Sequence, residues 1–279
     1  AIYLDINGNI FDPQMGTIDL KNNNVKFIGD PSARIQEDYL RIIRLLRFAI
    51  QYDSSNDKKT IEALKFNLNG IKKISKERIF NELIKILSLE NFENILKHSN
   101  KKNIFSVIFP EFKYLERLER LYKLKKIIKI NQNILLPTLI VGETNNHEYF
   151  AYKYNISNEI KKELELFNKT FSLSSRNINF FEKDLEKNIY LYGKNHLILL
   201  NALIFTTNSK FKIDSFLKVN KIILQTKIQK FPFDGNFLMK NGMKEGSALG
   251  KVLKMIEDEW IINGFKISKD RVKEIIKSN

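Results

Sequence analysis

The chain has 279 residues, 43% of them hydrophobic and 28% charged, enough to bury a substantial core in one large or two to three smaller domains. It has no cysteine, which excludes disulfides and thiolate zinc sites, and its three histidines, His98, His147 and His196, lie at no metal-ligating spacing. The formal charge of +15 calls for a polyanionic partner, because lysines that neutralise phosphates gain affinity by releasing counterions, unless a genomic bias raises lysine everywhere.

In chain order, Ile2 to Ile6, an Asn7-Gly8 turn and Ile10-Phe11 read as a β-hairpin. A lone hairpin is marginal without further strands, so the chain is expected to be a piece of a larger protein that completes the sheet. Asp5, Asp12 and Asp19 are expected to be turn or loop carboxylates. A polar stretch, Lys21 to Asn24, leads to a short strand or extended segment at Val25 to Ile28. The rest reads as helices, with apolar spacings of three and four in Tyr39 to Gln51, Thr60 to Leu68, Lys76 to Leu87, Phe92 to His98 and Tyr114 to Lys129. Ser75 is a natural N-cap for the third, and Pro110 and Pro137 interrupt later ones.

Lys113 to Lys129 combines an apolar stripe of Leu115, Leu118, Leu121 and Leu124 with a basic end. Strict three-residue spacing drifts around a helix, so a packed bundle helix is expected rather than a coiled coil. Its cluster Lys123, Lys125, Lys126 and Lys129 is either an RNA contact or a solvated face. Helices continue through Ser157 to Phe171, Ile178 to Tyr192, Asn195 to Phe205 and Asp214 to Lys227, where Glu182, Asp184 and Glu186 read as exposed helix charges. The apolar run Leu197 to Phe205 is interrupted by Asn201 and falls far short of the roughly 20 residues of a membrane span. With no basic region followed by a hydrophobic stretch at the start, a cytoplasmic protein without a membrane partner is expected. Gly235, Gly242, Gly246, Gly250 and Gly264 fit neither a Walker loop nor a dinucleotide fingerprint, so turns ahead of a Ser247 to Asn263 helix are the reading adopted.

The most informative segment is Gly29 to Phe48, GDPSARIQEDYLRIIRLLRF. At roughly 100° per residue on one helix, Arg41, Arg44 and Arg47 fall within a sector of about 120°, opposite Ile42, Ile43, Leu46, Ala49 and Ile50. Asp38, three residues before Arg41, sets an acceptor beside a planar donor fork. The pair is either an ion pair worth a few tenths of a kcal/mol or a template for a base edge. An arginine can donate to the ring nitrogen and carbonyl of cytosine or the ring nitrogen of adenine, while an aspartate accepts from the exocyclic amine of either. Guanine and uracil present the wrong polarity at that position. On an ideal helix Arg47 points nearly opposite to Asp38, which suits a phosphate or structural contact better than base reading.

Gly29, Asp30, Pro31, Arg34, Glu37, Asp38, Arg41 and Arg44 together resemble a motif, with its lead-in, of the class II tRNA nucleotidyltransferases and bacterial poly(A) polymerases. Ile74 to Leu87, with Glu82, resembles that family's neck motif I-S-x-E-R-I, and Phe231 to Trp260 resembles a tail found in one of its branches. Ala1 to Leu20 is similar to the end of its head domain, except that Met15 replaces the usual first glycine of a D-P-x-G-G loop.

The resemblance implies that Asp38 and Arg41 select CTP and ATP, and that Arg44 and Arg47 are further nucleotide-binding arginines. It implies addition of C, C and A to tRNA 3′ ends, with Mg2+ bound by head carboxylates in a D-x-D stretch that this chain lacks. No catalytic or metal-binding residue is therefore expected here, and the chain alone is expected to be inactive. The expected fold is mainly α, an elongated helical neck, body and tail with an N-terminal hairpin remnant of an α/β head. Its segments are head remnant 1–28, neck 29–100, body 101–207 and tRNA-binding tail 208–279. The rival readings are a poly(A) polymerase or a CC- or A-adding enzyme of the same family, and a non-catalytic helical RNA-binding module. Oligomeric state is not legible.

Overall fold

The computed structural model describes residues 2–129, 131–142 and 144–278, and they are mostly helical. Strands β1 (Tyr3–Leu4) and β2 (Ile10–Phe11) pair antiparallel, Tyr3 opposite Phe11 and Leu4 opposite Ile10. The hairpin is shorter than its apolar residues suggest because Asp5 nucleates the turn, its carboxylate accepting the Asn7 and Asn9 N–H groups at 2.9 and 2.7 Å. Helix α1 (Gly16–Lys21) follows where a loop was expected. Asp12 starts it by accepting the Gly16 and Thr17 N–H groups at 2.7 and 2.8 Å. Met15 just before it has φ of 54°, the left-handed region where glycine carries no steric penalty. Val25 to Ile28 forms no strand; Val25 is tied by its N–H to Ser54 Oγ at 2.9 Å and by its carbonyl to Asn56 Nδ2 at 2.9 Å.

Helices α2 (Pro31–Glu37) and α3 (Leu40–Gln51) divide the segment expected to be one helix. Asp30 caps α2 through the Ala33 N–H at 2.9 Å, with Pro31 at the first helical position. The break falls at Asp38, whose backbone is extended at φ −155°. Its carboxylate accepts the Leu40 N–H at 3.1 Å and its carbonyl the Arg41 N–H at 3.0 Å, so a second helix start replaces continuous helix. Leu40, Ile42, Ile43, Leu45, Leu46, Ala49 and Ile50 bury one face of α3.

Helix α4 (Lys58–Asn67), capped by Asp57, passes into a 3-10 turn, Leu68–Lys73. There a Cβ on Gly70 would lie 1.9 Å from the Tyr39 ring, so only glycine admits that ring. Helix α5 (Lys76–Leu87) starts at the Ser75 cap and ends where the apolar spacing predicts. After a 3-10 turn at Phe92–Lys97 come α6 (Ser99–Ile108), α7 (Arg117–Lys125), α8 (Leu135–Ile140), α9 (Asn146–Tyr154) and α10 (Asn158–Arg176). Phe92, Phe105, Phe109, Phe112 and Phe150 form a buried chain of rings with centroids 4.9 to 5.9 Å apart. Helix α7 is shorter than Tyr114 to Lys129. Its leucines are buried, but the lysines that follow lie three and four residues apart, and like charges at that spacing disfavour further turns.

The remaining helices are α11 (Leu185–Tyr192), α12 (Lys194–Thr207), α13 (Ile213–Gln225), α14 (Gly235–Lys240), α15 (Ser247–Ile262) and α16 (Lys269–Lys277). Helix α11 starts late because Asn177 ties itself to the Asn179 N–H and to Asp184, favouring turns over Ile178 to Asp184. Gly242 and Gly246, at φ of 103° and 152°, occupy the turns ahead of α15. The chain forms two compact units, Ala1–Leu173 with Leu199–Ile213, and Ser174–Ile198 with Asp214–Asn279. In the second, Leu238, Val252, Ile256, Val272, Ile275 and Ile276 make a core, and Trp260 packs against Tyr190, Phe231 and Phe265. Among the described residues no helix is long and apolar enough to cross a membrane.

Candidate functional site

The break before α3 decides what Asp38 and Arg41 can do. Extended backbone takes Asp38 out of helical register with Arg41, and the two are not paired with each other. Asp38 instead receives Arg78 Nη2 of α5 at 2.9 Å as well as the Leu40 N–H. Partial burial pushes its carboxyl upward, but those two donors outweigh it and hold Asp38 below the usual carboxylate range. Arg41 donates through Nη1 to Glu37 at 2.7 Å and to the Arg34 carbonyl at 2.9 Å. Its Nε and Nη2 still have protons to give. Glu37 also takes Arg34 at 2.9 Å, so the end of α2 fixes the guanidinium from behind.

Arg44 and Arg47 converge on one carboxylate. Glu82 of α5 has a side chain only 3% exposed and takes Arg47 Nε at 3.0 Å, Lys85 Nζ at 3.0 Å and, more loosely, Arg44 Nε at 3.5 Å. Burial raises the Glu82 carboxyl, and the Lys85 and Arg47 hydrogen bonds more than reverse that, leaving it below its ordinary value. Arg47 is 17% exposed and lies 4.1 Å from the Phe48 ring centroid, while Arg44 is 48% exposed. Arg44 is therefore the arginine of the pair open to a ligand, and Arg47 is chiefly an anchor between α3 and α5.

The candidate site is an edge with half-buried Asp38 as an ionised acceptor and guanidinium donors at half-buried Arg41 and exposed Arg44, braced from α5. Counting Arg34, Arg41, Arg44, Arg47, Arg78 and Lys85 against Glu37, Asp38 and Glu82, six cations face three anions, a surplus suited to a polyphosphate. Arg78 and Glu82 stand within the stretch Ile74 to Leu87 that resembles the neck motif, where the sequence alone indicates no partner for either. A cavity of about 300 Å³ lined by Ile2, Leu20, Val25, Ile28, Phe48 and Tyr52 holds none of the candidate residues.

The lysine cluster is not uniform. Lys123 pairs with Glu119 at 2.9 Å, and Lys125 is drawn to 4.3 Å from the Tyr122 ring centroid, where burial lowers its pKa. Lys126 and Lys129 are exposed beyond the last turn of α7. Among the described residues no group of three histidines or carboxylates could hold a metal ion. Asp5 and Asp12 are engaged by backbone N–H groups, Asp19 by Lys26 at 2.8 Å, and His98 by Asp53 at 3.1 Å.

Residues 56–115 match the family described as "Probable RNA and SrmB- binding site of polymerase A", a span covering α4, α5 and α6. Over 306 residues the chain is 26% identical to the mouse protein named CCA tRNA nucleotidyltransferase 1, mitochondrial, covering 99% of this chain and 64% of that relative. It is 27% identical over 294 residues to the CCA-adding enzyme of Lactobacillus helveticus, covering 99% of this chain and 69% of the other. The fold is similar to that of the Bacillus stearothermophilus CCA-adding enzyme solved in complex with CTP, with a TM-score of 0.62, 16% identity and coverage of 99% of this chain and 70% of that one. The chain thus spans about two thirds of the length of these relatives. It is similar along nearly all of its own length to CCA-adding enzymes of bacteria and mitochondria, and it shares the fold of one of them.

Proposed function

We propose that this chain selects CTP and ATP and holds tRNA while C, C and A are added to a tRNA 3′ end. The carrying observation is the braced edge of Asp38, Arg41 and Arg44. Asp38 would accept from the exocyclic amine of cytosine or adenine, and Arg41 would donate to the ring nitrogen of either and the carbonyl of cytosine. UTP and GTP, with a carbonyl in place of that amine, would set oxygen against the Asp38 carboxylate. Arg44 would meet the triphosphate, while Arg78 and Glu82 act as positioning residues that keep the edge in place before substrate arrives. The names of the mouse relative and of the CTP-bound structural neighbour support this reading.

For Mg2+, which the family resemblance calls for, no cluster of three carboxylates or histidines is found among the described residues. In this reading the chain contributes selection and RNA holding, and the metal carboxylates come from the family's head domain. Residues 1–279 alone should leave a tRNA lacking its CCA end unextended when supplied with CTP, ATP and Mg2+. The same residues joined to a head domain of the family should extend it by C, C and A. The match to a polymerase A RNA-binding region carries a second reading, poly(A) polymerase, which a long adenylate tail in that assay would select.

A further inference from the structure

Two tyrosines on α9 are exposed where large rings are ordinarily at least half covered: Tyr152 is 79% exposed and Tyr149 53%. Three residues apart, they share one face of the helix. The opposite face holds α9 in place, with Phe150 and Tyr154 of α9 packing 6.2 and 6.0 Å from Phe80 of α5. Lys76, the first residue of α5, has its ammonium 5.3 Å from the Tyr152 ring centroid. A second pair of the same kind lies just upstream, Lys73 at 5.4 Å from the ring of Tyr39, the residue that follows Asp38. Arg78, two residues beyond Lys76, holds Asp38 itself. The short segment 73–78 therefore joins the base-reading edge on one side to the exposed tyrosines on the other.

We propose that Tyr152 and Tyr149, with Lys76 beside them, form a stacking platform for the unpaired bases of a single-stranded RNA 3′ end on its way to Asp38 and Arg41. This rests on the function proposed above and names the surface that would receive its RNA. Every base has a π-face, so exposed rings stack any unpaired base, and an adjacent ammonium neutralises the phosphate that accompanies it. A protein-docking patch would be contiguous and apolar. Here the rings are flanked by Lys76, Glu148 and Lys153 instead.

The test is binding of the 279-residue chain to two RNA hairpins measured by fluorescence anisotropy, one with a short single-stranded 3′ overhang and one blunt, the duplexes being identical. Tyr152→Ala should weaken binding of the overhang RNA about tenfold and leave the blunt RNA unchanged. Tyr152→Phe and Tyr152→Trp should bind both as the wild type does. Tyr149→Ala should show the same selective loss, smaller in size. Equal weakening toward both RNAs, or none toward either, would overturn the platform while leaving the proposed function standing. Failure of the wild-type chain to bind either RNA would instead remove the RNA-holding role, and the platform with it.

Discussion

In the proposed function Asp38 is the residue on which base choice turns, and its ionised state depends on Arg78. The guanidinium at 2.9 Å and the Leu40 N–H keep the carboxylate ionised against partial burial. In an enzyme rebuilt with a head domain, Arg78→Met should lower kcat/KM for CTP and ATP together by roughly tenfold, the loss of one charge-assisted hydrogen bond. The acid limb of the pH–rate profile should also move upward, because without Arg78 burial acts on Asp38 with one opposing donor fewer. An unmoved acid limb would show that Arg78 does not set the state of Asp38. At this scale the sequence offers Asp38, Arg41, Arg44 and Arg47 as candidates because they stand close together in and just after one short motif. It could not supply their partners: Arg78 lies 40 residues from Asp38 and Glu82 lies 35 from Arg47, and pairings of that span are set by how α3 and α5 pack.

At the level of elements, α3 and α5 are clamped by Glu82, buried beneath Arg47, Lys85 and Arg44. Glu82→Ala leaves Arg47 without its acceptor and should cost about 3 kcal/mol of unfolding free energy in urea titration. The folded-state pKa of Glu82 lies below its ordinary value of 4.5, so its contribution is present above about pH 4.5 and is lost as pH falls through the folded value. Wild-type stability should therefore decline more steeply than that of Glu82→Gln below that pH, and parallel curves would contradict the assignment. Helix α5 was legible to the residue, since a serine cap and an apolar 3-4 pattern agree over Lys76–Leu87. The break at Asp38 was not, because local capping by one aspartate overrode a pattern that continues through it. Helix α6 opens on Ser99-Asn100-Lys101-Lys102-Asn103 and α9 carries two exposed rings, so neither shows a clean stripe. Helix α16 was legible in principle: Ser268 caps it through the Arg271 N–H at 3.1 Å, and Val272, Ile275 and Ile276 bury one face.

For the whole molecule, a charge of +15 with Lys126 and Lys129 exposed beyond α7 argues for polyanion binding. Affinity for tRNA should fall steeply and linearly in log K against log salt, and a flat dependence would reassign the lysines to composition alone. The mainly helical fold was readable from periodicity, whereas the two compact units, each assembled from segments distant in sequence, depend on contacts that periodicity does not encode. In the proposed function the edge of Asp38 and Arg41 chooses the nucleotide. The direct measurement is kcat/KM for CTP, ATP, UTP and GTP in the rebuilt enzyme, its Asp38→Ala and Arg41→Ala variants, and an exposed-surface control, Lys58→Ala, with folding checked by circular dichroism. Each site variant should lose about 1 to 3 kcal/mol of discrimination, roughly tenfold to a hundredfold, against UTP and GTP, and the control should lose none. Unchanged selectivity in both folded site variants would contradict the claim and leave Asp38 and Arg41 as helix-end ion pairs to Arg78 and Glu37.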